Sequence, residues 1–169
     1  MKTSVQFTYT DSFNPSAPIR VDRIEIQWLT DEGASLDNLG TYGHAATSPA
    51  AIDRAALGHQ MRGEFRWFNP AMTGDETGNP ESPAQDYARA EAYNRGEWSM
   101  LGCVAVATIS RPCGQGSRRL DKLTSGGLWG VESDSGADYL KSVESEQMAD
   151  LAEHLKAFGI ECPAPAPAI

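Results

Sequence analysis

Trp98-Ser99-Met100-Leu101-Gly102-Cys103-Val104-Ala105-Val106-Ala107-Thr108-Ile109-Ser110 is apolar at both parities. Met100, Val104 and Val106 fall on one side of the alternation, and Leu101, Cys103, Ala105, Ala107 and Ile109 on the other. Successive strand side chains point to opposite faces, so a run without a polar side reads as a strand covered on both faces. The sheet is therefore organised around this segment. Working toward the N-terminus, Arg23, Glu25 and Gln27 alternate with Ile24, Ile26 and Trp28, and Thr3–Tyr9 alternates in the same way through Val5, Phe7 and Tyr9. A period of two marks half-buried strands, which suits an antiparallel pair with one wet face. Toward the C-terminus, Gly114–Gly116 is a turn signal, Ser117–Leu123 a return strand and Leu128–Glu132 a further short one. Gly63–Phe68 reads as another strand, with Phe65 and Trp67 on one face.

Two helices complete the pattern. Ser82-Pro83-Ala84-Gln85 combines a capping serine, a proline at the first turn and a glutamine at the capping-box position, and Gly96 closes the helix over Pro83–Arg95. The longer one, Gly136–Phe158, follows a capping-box-like Ser135/Asp138 pair. It carries Leu140, Val143, Leu151, Leu155 and Phe158 at helical spacing and ends at Gly159. Ser48–Pro49 opens a short helix to Ala56. The stretches Asp31–Thr47 and Asn69–Glu81 read as irregular connection and exposed loop. The expected fold is α+β: one domain over 1–161, an antiparallel-rich sheet of five or six strands packed by two main helices. A flexible Pro/Ala tail follows at 162–169.

A chain of 169 residues is long enough to bury a core without staples. Its 23 acidic and 14 basic residues leave a formal net charge of −9, which disfavours direct binding to phosphate backbones and anionic lipid. Cationic surfaces are the matching partners, although solubility is the plainer reading of the same charge. The acids are uneven: 31–97 and 132–161 each carry a net of −6, so the bases gather near the N-terminus and around Arg111–Lys122. Cys103, Cys113 and Cys162 form no CxxC spacing, so neither a disulfide framework nor a zinc site is read from them. The opening residues lack the apolar core of a signal peptide, and no run reaches the roughly 18 apolar residues of a membrane span. A cytoplasmic setting with reduced thiols is the expectation.

The residues that carry chemistry are few. His44, His59 and His154 stand in no metal-binding or deaminase spacing, and no catalytic residue, metal ligand or cofactor is assigned. Cys103, inside the apolar strand, reads as a small hydrophobe with a raised pKa, whereas Cys113, near Arg111, Arg118 and Arg119, is the better candidate for a reactive thiol, a plain solvated cysteine being the favoured reading. Gly114-Gln115-Gly116-Ser117-Arg118-Arg119 offers an anion cradle through Arg118 and Arg119, but lacks the lysine and threonine of a phosphate-binding loop. A hairpin turn with two solvent-facing arginines is the favoured reading of it. Trp129 sits between glycines in Gly126-Gly127-Leu128-Trp129-Gly130 and is either a core plug, the favoured reading, or an exposed contact anchor. Glu144, Glu146, Asp150 and Glu153 are assigned to the outer face of the last helix.

Two stretches carry a resemblance. Gln85-Asp86-Tyr87-Ala88-Arg89-Ala90-Glu91-Ala92-Tyr93-Asn94-Arg95-Gly96-Glu97-Trp98 and Ser125-Gly126-Gly127-Leu128-Trp129-Gly130-Val131-Glu132-Ser133-Asp134-Ser135 together resemble an uncharacterised family of small acidic proteins carried by bacterial phages, plasmids and integrated elements. About a quarter of the chain is covered, and the resemblance implies a genetic context without a reaction or catalytic residues. The functional expectation is noncatalytic binding of a host or mobile-element protein with a basic surface, an acidic inhibitor of a nucleic-acid-handling or defence system being one form of it. Glu144, Glu146, Asp150, Glu153 and Trp129 would make the contact. The alternative is a small enzyme with a site near Arg111–Lys122 and Ser125–Gly130, and a virion component is a third reading.

Overall fold

The computed structural model describes residues 2–5, 19–59, 64–112 and 118–160. In chain order the first elements are β1 (Lys2–Val5), β2 (Arg20–Thr30), β3 (Gly40–Gly43), β4 (Ile52–Asp53) and β5 (Trp67–Pro70). They are followed by α1 (Gly74–Thr77), α2 (Ser82–Asn94), β6 (Met100–Pro112), β7 (Arg118–Thr124), β8 (Leu128–Glu132) and α3 (Ala137–Ala157). The class is α+β, and the described strand pairs are antiparallel. Contacts group the chain into two compact units, Met1–Glu32 with Met100–Ile169, and Gly33–Ser99.

The first unit is built on β6. Its sheet runs β1-β2-β6-β7, and β8 also pairs with β6. The strand apolar at both parities is thus central. Ile24 and Ile26 of β2, Cys103, Ala105, Ala107 and Ile109 of β6, and Val131 of β8 close against Val143, Leu151 and Leu155 of α3. This is the main apolar core, and burial of each valine, leucine or isoleucine side chain in it contributes about 1.5–3 kcal/mol. The helix is also tied down at its sides, where Trp28 Nε1 donates to Glu144 Oε1 at 2.9 Å.

β7 and β8 lie along the same side of β6, one after the other. Val106 pairs with Thr124 and Cys103 with Leu128, so three steps on β6 are matched by four on the edge. The extra residue is a bulge at Ser125, Gly126 and Gly127. A second irregularity follows, since Leu101 pairs with Val131. A bulge leaves backbone groups without ladder partners, and here α3 supplies them. The Ser125 hydroxyl accepts the Ala105 N–H at 3.0 Å and donates to Gln147 Oε1 at 2.9 Å. The same Gln147 oxygen accepts the Gly127 N–H at 3.0 Å, and Asp150 Oδ2 accepts the Gly126 N–H at 2.6 Å. Gln147 is a buried polar residue among Val143, Leu151 and Leu155, and the bulge explains why.

The ends of α3 differ from the sequence reading at one side only. Gly136 is the N-cap and no side chain caps the first turn, so the Ser135/Asp138 capping box does not form. At the other end Gly159 takes φ +67°. Gly159 N–H reaches the Lys156 carbonyl and Ile160 N–H the Leu155 carbonyl, the paired bonds of a glycine-terminated helix.

The second unit holds a three-stranded sheet in the order β3-β5-β4, which the sequence reading does not anticipate. Its core is small: Phe68, Tyr87 and Ala90, with Leu36, Leu39, Tyr42 and Ile52 packed around them. The short helix expected from Ser48 does not form. A segment so short lacks the length to offset helix nucleation, and Ile52 and Asp53 pair with Phe68 and Trp67 instead. The strand expected over 63–68 begins at Trp67, leaving Phe65 exposed. Within the expected loop after Asn69 stands α1, held by a full capping box between Thr73 and Glu76. α2 begins at Ser82 with Glu81 as N-cap and no side-chain cap, so Ser82 does not serve that role. Its C-terminus ends as expected at Gly96, whose N–H reaches Tyr93 O while Glu97 N–H reaches Ala92 O.

Residues 1, 6–18, 60–63, 113–117 and 161–169 lie outside the described set. With them go most of the first expected strand, the Gly114–Gly116 turn, Cys113, Cys162 and the tail.

Two outcomes test this account. Gln147→Leu removes the acceptor of one buried and one half-buried donor and is expected to lower stability by about 1–3 kcal/mol, read as a lower urea midpoint. Glu146→Leu, at the exposed neighbouring position, is expected to stay within about 0.5 kcal/mol. Burial, with a smaller contribution from Glu144, pushes the Cys103 thiol up to about 11. The unfolded chain releases that proton first, so stability should fall as pH rises from about 9 to about 11. A denaturation series in that window should give a shallower slope for Cys103→Ala than for the parent.

Candidate functional site

The two register shifts on the edge of the first unit decide where Trp129 points. Leu123 packs on the core that α3 covers, and strict alternation from it would turn residue 129 to the same side. The extra residue at the bulge reverses the parity. Leu128, opposite Cys103, faces the core, and Trp129 turns to the other face of the sheet. The second irregularity restores the parity, so that Val131 is buried again at 2 % exposure. Two bulges thus bracket one tryptophan and aim it away from the core.

The landing place of the ring is equally specific. A Cβ built on Gly102 would lie 2.2, 2.4 and 2.6 Å from Trp129 Cε3, Cζ3 and Cδ2. Three adjacent atoms of the six-membered ring at nearly equal distance mean that the indole lays its face, rather than its edge, on Gly102. Gly127, at φ +80°, lies beside Val104 and the indole nitrogen, where a side chain would crowd both. Leu29 is the cross-strand partner of Gly102 and shares its face. Leu29 is 41 % exposed and Trp129 48 % exposed. Asp31 Oδ2 accepts the Gly130 N–H at 3.1 Å and fixes the chain immediately after the tryptophan. The arrangement is a rigid, half-exposed aromatic plate with a leucine beside it and a carboxylate at its rim. The core-plug reading of Trp129 is corrected: the ring packs on the sheet by one face only.

No family model, curated protein or solved structure matches this chain. The four acids assigned to one face of the last helix do not share it. Glu144 follows the buried Val143 and holds Trp28, and Asp150 is engaged by the bulge. Glu146 and Glu153 are exposed, and they lie on α3, across the sheet from Trp129. The proposed contact set is thus split between two sides of the unit. Glu144 and Asp150 belong to the framework because their spacing puts them against the buried positions 143, 147 and 151.

The cradle offered by Arg118 and Arg119 is not assembled among the described residues. Arg118 Nε donates to Ser110 Oγ at 3.0 Å and its Nη2 to the Ser110 carbonyl at 2.7 Å. Arg119 is exposed, and as the next residue of the strand it points to the opposite face. Arg111 pairs with Asp121. The glycine-rich segment is the bulge already described, and it lies toward the other end of β6, since Leu128 pairs with Cys103 whereas Arg118 pairs with Pro112.

A second polar cluster lies in the Gly33–Ser99 unit. Arg54 is 7 % exposed, its Nη1 donates to Phe65 O at 2.7 Å, and its Nη2 stands 3.4 Å from both Glu64 and Glu91. The Tyr42 ring lies 5.0 Å from the guanidinium, and the Tyr42 hydroxyl donates to Glu91 Oε1 at 2.8 Å while accepting from Asn94 at 3.0 Å. Burial, and then the Glu91 carboxylate, push the Tyr42 hydroxyl well above its ordinary value. Tyr42, Arg54, Glu64, Phe65 and Asn94 line an open hollow of about 380 Å³. One guanidinium answered by two carboxylates is a charge pin that ties β4 to α2 in a unit with few apolar residues to bury.

Each histidine is in a local contact. The His44 and Phe65 rings meet at a tilt of 60° with centroids 4.7 Å apart, His59 Nε2 meets the Tyr87 hydroxyl at 3.0 Å, and His154 Nδ1 meets the Thr124 carbonyl at 3.0 Å. Among the described residues no group of three His, Cys, Asp or Glu side chains is disposed to hold a metal ion, and no helix is long and apolar enough to cross a membrane. Of the tryptophans, Trp98 is buried, with Arg89 over its ring.

Sequence reasoning missed Leu29, Asp31 and Gly102 as parts of the Trp129 surface. The signal for Gly102 was present, since an isolated glycine in an apolar strand marks a close approach. Gly102→Ala tests the geometry: the new methyl would force the indole off the sheet. The expected result is a shift in fluorescence that is absent from the Trp129→Phe background, with a destabilisation of about 1–3 kcal/mol.

Proposed function

We propose that this protein is a noncatalytic binding module that takes a protein partner on the Trp129 face of its larger sheet. One observation carries the reading: two bulges and a glycine platform turn a large aromatic residue outward and hold it rigid. Tryptophan is enriched among residues that dominate binding energy, and a ring immobilised before contact loses little entropy when a partner arrives. The net charge of −9 favours a partner with a basic surface, through long-range attraction rather than close pairing. The likeness of the segments around Trp98 and Trp129 to small acidic proteins of mobile elements supports a host nucleic-acid-handling or defence protein as that partner.

The test compares baits. Full-length protein, Trp129→Ala and the double variant Glu146→Lys/Glu153→Lys are used to capture partners at low and high salt, and the captured partner is titrated against each. Trp129→Ala is expected to weaken binding by about tenfold or more with an unchanged circular dichroism spectrum, the cost of truncating a hot-spot aromatic. The double variant should bind within a few-fold of the parent at high salt, where steering is screened. Full binding by Trp129→Ala, with loss in the double variant, would move the site to the helix.

A further inference from the structure

Resting on that binding face, we infer the chemistry that it takes: an arginine side chain of the partner, laid across the outer face of Trp129 and paired with the carboxylate at its rim. The geometry leaves one side of the ring for this. The inner side of the indole is against Gly102, as the three short distances to its six-membered ring require, so the 48 % exposure of Trp129 belongs mainly to the outer side. A tryptophan face is the strongest of the aromatic seats for a cation, and a planar guanidinium stacks on it as well as attracting it.

The surroundings are of the matching sign. Asp31 is held beside the ring through Gly130, and Glu132 occupies the outward position opposite Met100. Gln27, Leu29 and Val104, which share that face, are uncharged. An aliphatic stem would rest on Leu29 while the guanidinium covers the ring. The chain itself uses the same contact elsewhere. Arg89 stands 3.7 Å over the Trp98 ring and Arg66 5.2 Å over Trp67, whereas Trp129 has no such cation among the described residues.

The experiment observes the indole and backbone N–H resonances of the isotope-labelled full-length protein. The Trp129 signal is assigned by its loss in Trp129→Phe. Two short peptides of the same apolar sequence are titrated, one with a central arginine and one with citrulline, which keeps the shape without the charge. The expected result is a saturable shift of the Trp129 signal, with the citrulline peptide binding roughly threefold or more weakly, and with Asp31→Asn removing part of that preference. Equal binding of the two peptides would overturn the arginine assignment and leave the binding face standing. A non-saturating shift spread equally over the exposed acids of α3 would mean simple counterion attraction, and would also overturn it. If neither peptide moves the Trp129 signal, the arginine assignment falls, and the partner titration with Trp129→Ala decides the binding face separately.

Discussion

One buried amide oxygen sets the geometry of the larger unit. Gln147 Oε1 accepts the Gly127 N–H, which the bulge leaves without a ladder partner, and also accepts from the Ser125 hydroxyl, which itself accepts the Ala105 N–H. A polar side chain in the middle of an apolar helix face costs free energy unless its bonds are made. Here they are made to the strand edge, so helix and sheet specify each other. The apolar contacts of Val143, Leu151 and Leu155 would tolerate small slips of α3 along the sheet, but the two-point contact to the bulge would not.

Everything at the edge follows from that register. One inserted residue reverses the parity of the strand, a second restores it, and between them a single large side chain changes sides. The two faces of the unit then acquire different characters. The α3 side presents Glu146 and Glu153 to solvent, and the opposite side presents Trp129 and Leu29. In the binding proposed for this protein, charges on the first face would act at a distance through the field of the whole molecule, whereas the aromatic plate would act only at contact. Approach and grip would then fall to different surfaces, neither depending on the other for its geometry.

Much of this was legible in the chain. The double-sided apolarity of the run from Met100 named the central strand, the spacing of Val143, Leu151 and Leu155 named the long helix, and Gly96 and Gly159 marked both helix ends. Leu128–Glu132 was read with its observed bounds. What was missed has physical causes. β3 and β4 are four and two residues long, and they exist because Phe68 and its neighbours pair with them, which no local pattern records. The Thr73/Glu76 capping box was written in the sequence, but hidden among loop formers. The inward position of Glu144 follows from its place beside Val143, yet its charge suggested the opposite. The direction of Trp129 was not legible at all, because parity across a bulge depends on which residues pair, and pairing is a property of the folded sheet.

The seat of Trp129 on Gly102 also binds two distant positions into one inherited unit. Any side chain at 102 evicts the ring, and without the ring the glycine leaves a bare patch of backbone in the centre of a strand. Neither residue can drift alone without loss. Among descendants of this sequence the pair should persist or vanish together, so that a lineage which has given up the tryptophan will have filled the glycine with a side chain of its own.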